Sequence, residues 1–263
     1  MKLCYININT EEVSGPFLSI VSRLFQQVAM PDTEVDIKSV SPGLQRIMDV
    51  HPYFFFLNKR PIIERIVEAE KQGYDAAVVG CFLDPGVSEA RGIVNMPVIG
   101  LGESTMHFAC QLGRKFGIVT VNEPSTISET EDKIRFHGLQ YRVITQSVRG
   151  ISMSTYDAFT KGLQEPKMVA EDIVQKGKEC VEEGANVVVV GCNGLAPLCT
   201  VSGVARLGRE EIPLIDCLSV GIKTAEMVVE LNKKLGLPFI SRAGFYALPR
   251  QKDLERVRAT FGL

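Results

Sequence analysis

Gly73-Tyr74-Asp75-Ala76-Ala77-Val78-Val79-Gly80-Cys81 and Gly184-Ala185-Asn186-Val187-Val188-Val189-Val190-Gly191-Cys192 are two versions of one phrase, with eight steps from the opening glycine to the cysteine in each. Four apolar residues bounded by glycines read as a short strand buried on both faces, as in the middle of a parallel sheet. Working outward, Leu3 opens a strand 78 residues before the first cysteine and Phe116 opens one 76 residues before the second. Downstream, Met96-Pro97-Val98-Ile99 answers Ile212-Pro213-Leu214-Ile215, and Asn7 and Asn9 correspond to Thr120 and Asn122 at a constant offset of 113. The chain is therefore expected to be α/β, built as two similar lobes, each a parallel sheet flanked by helices. Each lobe presents one cysteine at the carboxyl end of a strand, where open parallel sheets bind their ligands. The active site is expected in the cleft between them.

Short β-rich runs alternate with longer amphipathic ones, the pattern of βαβ units. Strands are expected at 3–8, 34–38, 75–79, 97–100, 116–120, 141–146, 186–190 and 213–215. A helix is expected over 61–71, with Ile62, Ile63, Ile66 and Val67 on one side and Glu64, Arg65, Glu68 and Lys71 on the other; 166–182 repeats the pattern. The segment 217–235 is apolar over more than one stripe, which suits a helix buried between layers and returning from the second lobe to the first. Lobe one then comprises 1–102 plus 218–263, and lobe two 103–217.

The 263 residues, 45% hydrophobic and 23% charged, are enough for two cores and argue against extended disorder. With 29 Lys and Arg against 31 Asp and Glu, the net charge of −2 offers no footprint for nucleic acid or an anionic membrane. No apolar run is long enough to span a bilayer and the first residues do not form a signal peptide. Seven cysteines without CxxC pairs, and three scattered histidines, fit neither a disulfide framework nor a zinc site. The expected setting is a reducing cytoplasm. P-loop, GxGxxG, HExxH and Gly-x-Ser-x-Gly patterns are missing, and Gly100-Leu101-Gly102 reads as a loop signal only.

The thiolate is the reactive form of cysteine, and a helix N-terminus favours it. Asp84 and Pro85 suit the cap and first position of a helix just after Cys81, and Asn193-Gly194 after Cys192 forms a turn whose amides can face an anion. One thiolate removing a proton from carbon and an opposite thiol returning one would invert a stereocentre without a cofactor. Such chemistry needs donors for the developing enolate, for which Asn9, Asn193 and backbone amides are candidates. The competing reading of any single cysteine is a small buried hydrophobe, and this is the reading for Cys4, Cys110 and Cys180. Asp216 reads as a cap or a hydrogen-bond partner, and Glu103 and His107, four apart, as a salt-bridged pair. The run Tyr53-Phe54-Phe55-Phe56 reads as core, interface or lid.

Those residues resemble a known family. The two-cysteine duplication resembles the cofactor-independent aspartate/glutamate racemase superfamily. Cys81-Phe82-Leu83-Asp84-Pro85-Gly86, Pro97 to Ser104 with Met106, Asn7-Ile8-Asn9-Thr10 and Ser241-Arg242-Ala243-Gly244-Phe245-Tyr246 are similar to segments of its hydantoin and allantoin racemases. The resemblance implies a racemase acting on a 5-substituted hydantoin or a relative such as allantoin. Cys81 and Cys192 would be the acid/base pair, and Asn9, Phe82, Thr120, Asn193 and Gly194 would line the substrate site. It further implies no metal or other cofactor and a homo-oligomer whose partner is a small molecule. Leu83 stands where that group carries glycine, Ile8 where it carries proline, and Cys217 where it carries glycine. The alternatives are an amino-acid racemase, an isomerase or a decarboxylase of the same superfamily, and, outside enzymes, a small-molecule sensor.

Overall fold

The computed structural model describes residues 1–46 and 49–263. In chain order the elements are β1 (Lys2–Asn9), α1 (Glu11–Val28), β2 (Glu34–Leu44), α2 (Pro52–Lys71), β3 (Ala76–Gly80), α3 (Val87–Arg91), β4 (Val98–Gly100) and α4 (Leu101–Leu112). The second half contains β5 (Phe116–Thr120), α5 (Pro124–Phe136), β6 (Val143–Gly150), α6 (Thr155–Gln164), α7 (Pro166–Glu182), β7 (Val187–Val190), α8 (Ala196–Val201), β8 (Arg206–Leu207) and β9 (Ile212–Asp216). The chain closes with α9 (Cys217–Leu235) and, after a 3-10 turn at Gly244–Tyr246, α10 (Gln251–Thr260).

Two sheets result, ordered β2-β1-β3-β4 and β6-β5-β7-β9-β8. Every pairing is parallel except that of the two-residue β8 with β9. Removing β8 leaves the same strand order twice, so the duplicated phrase is also a duplicated topology. In each sheet the strand order reverses between the first strand and the one carrying the Val-Gly-Cys phrase, β1 with β3 and β5 with β7, which makes the carboxyl ends of those strands the binding crevice. All five residues of β3 and all four of β7 are buried, as strands covered by helices on both faces must be.

Helix α9 packs against α4, β3, α1 and β4, with further contacts to α8 and β9. Its buried Glu226 accepts from the Met30 amide at 2.7 Å, where α1 hands over to β2, and from the Lys223 ammonium at 2.9 Å. The tail beyond α9 lies on α2 and α3: Arg258 makes a two-point ion pair with Glu64, and Arg242 donates to the carbonyl oxygens of Arg91 and Val94.

Two expectations are corrected. The second helix is longer than 61–71 because it starts at Pro52, where Pro is well placed in the first turn and the His51 ring nitrogen accepts from the Tyr53 amide at 3.2 Å. Pro61 lies within it and does not open it. Gly100-Leu101-Gly102 is not a loop but the junction of β4 with α4.

Candidate active site

The switch points of the two sheets face one another across a cavity of about 80 Å³. Cys81 and Cys192 both line it, each one residue past the glycine that ends the duplicated phrase. Asn9, Phe82, Thr120, Asn193 and Gly194 line it as well, so the seven residues singled out from the sequence meet in one place.

Both sulfurs face backbone amides. The Leu83 amide lies beside the Cys81 sulfur, and the Leu195 and Gly194 amides lie beside that of Cys192, where each favours the thiolate. Burial nevertheless dominates: it pushes the Cys81 thiol up to about 12, against the pull of the Leu83 amide, and the charge of Asp84 adds to the rise. Burial raises the Cys192 thiol too, with two amides opposing it and no carboxylate nearby to reinforce it. The two thiols are thus unequal, and Cys192 is the better supplied with donors. Cys217, at the first position of α9, is fully buried behind them and is held protonated by burial and by Asp216.

Asp84 does not cap a helix of its own. It has φ 50°, and the next helix begins only at Val87, after Gly86 with φ 79°. Its carboxylate instead reaches the start of α4, accepting from the Gly102 amide at 2.9 Å and the Glu103 amide at 2.8 Å. Burial raises its pKa to about 6 against those two donors. This is why glycines recur after β4. A Cβ at Gly100 would lie 2.5 Å from the Asp84 carboxyl carbon, and one at Gly102 would run into the Phe82 carbonyl oxygen. The loop that carries Cys81 is therefore fastened to the head of α4 by a carboxylate and by close backbone approach.

Glu103 and His107 are not a side-chain pair. Glu103 binds Arg91 at 2.7 Å, while the His107 ring nitrogen meets the Glu103 carbonyl oxygen at 2.8 Å. Asp216 is both cap and hydrogen-bond partner: it accepts from the Leu218 amide at 2.8 Å and from the hydroxyls of Ser219 and Thr200 at 2.7 and 3.0 Å. Of the aromatic run, only Phe55 reaches the cavity; Tyr53, Phe54 and Phe56 are exposed.

On the opposite wall, the Thr120 hydroxyl donates to the Gly191 carbonyl at 3.0 Å, so only its lone pairs are left for a substrate N–H. The Phe82 ring lies on Gly191, and the Phe159 ring covers Gly194 closely enough that a Cβ there would stand 2.7 Å from its Cζ. The remaining wall is mostly apolar, with Ile8, Phe17, Val50, Leu83 and Val121. Ser14, Thr126 and Thr155, at or near helix starts, were missed by the sequence reading. Thr126 is the informative one: it is 6% exposed and its hydroxyl has no hydrogen-bond partner. A threonine in the first turn of a helix gives no sign in the sequence of facing a cavity. Among the described residues, the only charged side chain lining the cavity is Asp49, and no group of three His, Cys, Asp or Glu side chains is arranged to hold a metal.

Comparison with known proteins follows the same lines. The model of the Asp/Glu/hydantoin racemase family matches residues 10–225. The chain belongs to this family. As a member it is an isomerase, which sets aside the sensor reading. It is 32% identical over 263 residues to the hydantoin racemase of Pseudomonas sp. (strain NS671), covering all of this chain and 97% of that one. Among solved structures, the allantoin racemase from Klebsiella pneumoniae superposes with a TM-score of 0.76 at 25% identity, covering 95% of this chain and 94% of that one. A glutamate racemase from Bacillus anthracis shares the two-lobed fold, with a TM-score of 0.62 at 13% identity over 99% and 94% of the two chains. Among the described residues no helix of this racemase family member is long and apolar enough to cross a membrane.

Proposed function

We propose that this chain racemises a 5-substituted hydantoin or a close relative such as allantoin, using Cys81 and Cys192 as its two bases and no cofactor. The observation that carries the reading is that both cysteines, each at the end of the equivalent strand of its sheet, line one cavity. The names of the relatives support the substrate class. The chemistry of the wall favours a neutral ring over a free amino acid. Lys, Arg and His are missing from the described lining, so an α-carboxylate would have no cationic partner there, whereas hydroxyls and amides can serve ring carbonyls and N–H groups.

In the forward direction the Cys192 thiolate takes the C5 proton, and the electron pair of that C–H bond moves toward the C4 carbonyl as an enolate. The Cys81 thiol then delivers its proton to the other face of C5. The enantiomer leaves, with thiol now at Cys192 and thiolate at Cys81, and proton exchange with solvent resets the pair. In the reverse direction the roles exchange. Donors where the enolate oxygen develops lower the barrier, and the cavity-lining Asn9, Asn193 and Thr126 are the candidates for that role. Flanking carbonyls acidify C5, which is what permits two buried thiols, rather than stronger bases, to suffice.

The reading keeps 1–102 with 218–263 as lobe one and 103–217 as lobe two, with α9 packed on β3, β4 and α1 of the first and on α4 at the boundary with the second. It includes self-association, to which the exposed rings of Phe56, Phe136 and Phe245 around one groove are suited. It also includes a reducing compartment, in keeping with seven free cysteines. The test is polarimetry on L-5-benzylhydantoin with Cys81→Ser and Cys192→Ser, corrected for spontaneous racemisation. Each is expected to lower kcat by roughly 10²–10⁴-fold. Native rates in both would end the two-base reading.

A further inference from the structure

Tyr5 stands in the middle of β1 and is completely buried, its ring edge-on to Phe25 at 5.0 Å between centroids. Packing alone does not call for a hydroxyl there. At the offset of 113 that relates the two halves, the counterpart of Tyr5 is Ile118 in β5, and that half folds to the same strand order with an aliphatic side chain. The hydroxyl also imposes a constraint. A Cβ at Gly80, the residue before Cys81, would stand 2.5 Å from the Tyr5 Cζ and run into its oxygen, so the glycine of the first Val-Gly-Cys phrase makes room for the phenol. In the second half, Gly191 makes room instead for Ile118 and the Phe82 ring.

The phenol oxygen is out of water and has no partner at the geometry of a formed hydrogen bond. Leaving it so costs free energy that an apolar side chain would not. A side chain within reach of it is that of Asn193, which belongs to the other lobe, lines the cavity beside Cys192 and turns its NH2 toward the phenol without closing a hydrogen bond. A thiolate at Cys81, Cys192 or Cys217 would act on the same oxygen through its charge. A buried hydroxyl on lobe one thus faces the amide that follows the cysteine of lobe two, across the boundary that the two-base reaction spans.

We propose that Tyr5 is a positioning residue: during turnover the Asn193 amide flips, so that the Tyr5 O–H donates to its side-chain carbonyl and its NH2 faces the carbonyl oxygen of the substrate where enolate charge develops. The inference rests on the function proposed above, since it needs a reacting carbonyl in that cavity. Tyr5 itself touches no reacting atom. Its effect is confined to the amide it orients, and through that amide to the transition state more than to the bound substrate. Because the hydroxyl is otherwise unsatisfied, removing it leaves the fold at least as stable as before.

Tyr5→Phe deletes only the oxygen and keeps the ring against Phe25. With L-5-benzylhydantoin as the probe, it is expected to lower kcat by about tenfold while KM changes by less than about twofold, the loss of roughly one oriented hydrogen bond. Its melting temperature should equal or exceed that of the parent. Asn193→Ala should lower kcat at least as much, and Tyr5→Phe combined with Asn193→Ala should be no slower than Asn193→Ala alone, because the two act as one unit. Native kcat in Tyr5→Phe overturns the inference, as does multiplication of the two effects in the double variant, or a kcat loss accompanied by a lowered melting temperature. The Cys→Ser variants separate this from the reading beneath it: if they are inactive while Tyr5→Phe is native, only the positioning role falls, and if they are native, both fall.

Discussion

Asp84 is where a single side chain governs both stability and thiol chemistry. Its folded-state pKa, about 6, lies above the ordinary 3.8, so ionising it weakens the folded state relative to the unfolded chain. Its contribution is fully present below about pH 4 and is lost as the pH rises through about 6. Asp84→Asn is expected to remove that slope: the difference in urea midpoint between parent and variant should shift in favour of the variant from pH 4 to pH 7. The same change removes a negative charge beside Cys81 and should move the pH dependence of Cys81 alkylation, followed by mass spectrometry, to lower pH. Parallel stability curves and an unmoved alkylation profile would show that the carboxylate does neither. That Asp84 caps something was legible in the sequence; what it caps was not, because Gly102 and Glu103 are brought to it by the β3–β4 pairing, and not by spacing along the chain. Tyr5 was illegible for a similar reason. Inside an alternating strand a tyrosine reads as core, and only the opposite lobe gives its oxygen a meaning.

At the scale of elements, the head of α4 serves as the anvil for the loop carrying Cys81. Gly102→Ala forces a methyl group against the Phe82 carbonyl oxygen, which sits in backbone and cannot swing aside. We expect a loss of about 1–3 kcal/mol in urea unfolding, together with reduced racemisation as the loop is displaced. An unchanged unfolding midpoint would mean that the loop yields without cost. The strands were readable because runs such as Val187–Val190 and Ala76–Gly80 admit no other buried arrangement of that length. Strand β8 was missed, being two residues with an exposed arginine. The start of α2 was misplaced because Pro61 has the look of a helix opening, whereas Pro52, nine residues earlier, supplies it. Helix ends that feed the cavity, such as the first turns of α5 and α6 with Thr126 and Thr155, carry no local signal of the direction they face.

Over the whole molecule, the duplicated phrase predicted the architecture because each copy needs its own parallel sheet, and two such sheets with their crevices opposed make one cleft. The device that joins distant parts of the chain is α9, whose Glu226 ties the end of α1 through the Met30 amide. Its side chain is completely buried, so Glu226→Ala leaves that amide and the Lys223 ammonium without their acceptor. A loss of about 2 kcal/mol is expected in chemical unfolding, with KM nearly unchanged, since neither residue lines the cavity. A variant as stable as the parent would show that α9 is held by its apolar contacts alone.

The central claim is that two thiols attack one carbon from opposite faces, and isotope partitioning reads this directly. L-5-Benzylhydantoin is incubated with the enzyme in deuterium oxide, the reaction is stopped at low conversion, and the enantiomers are separated for NMR at C5. Two bases predict deuterium in the product enantiomer and protium in the recovered substrate, since the incoming proton comes from a solvent-exchanged thiol other than the one that received the departing proton. Product that retains the original C5 proton, or deuterium appearing equally in both enantiomers, would contradict the account.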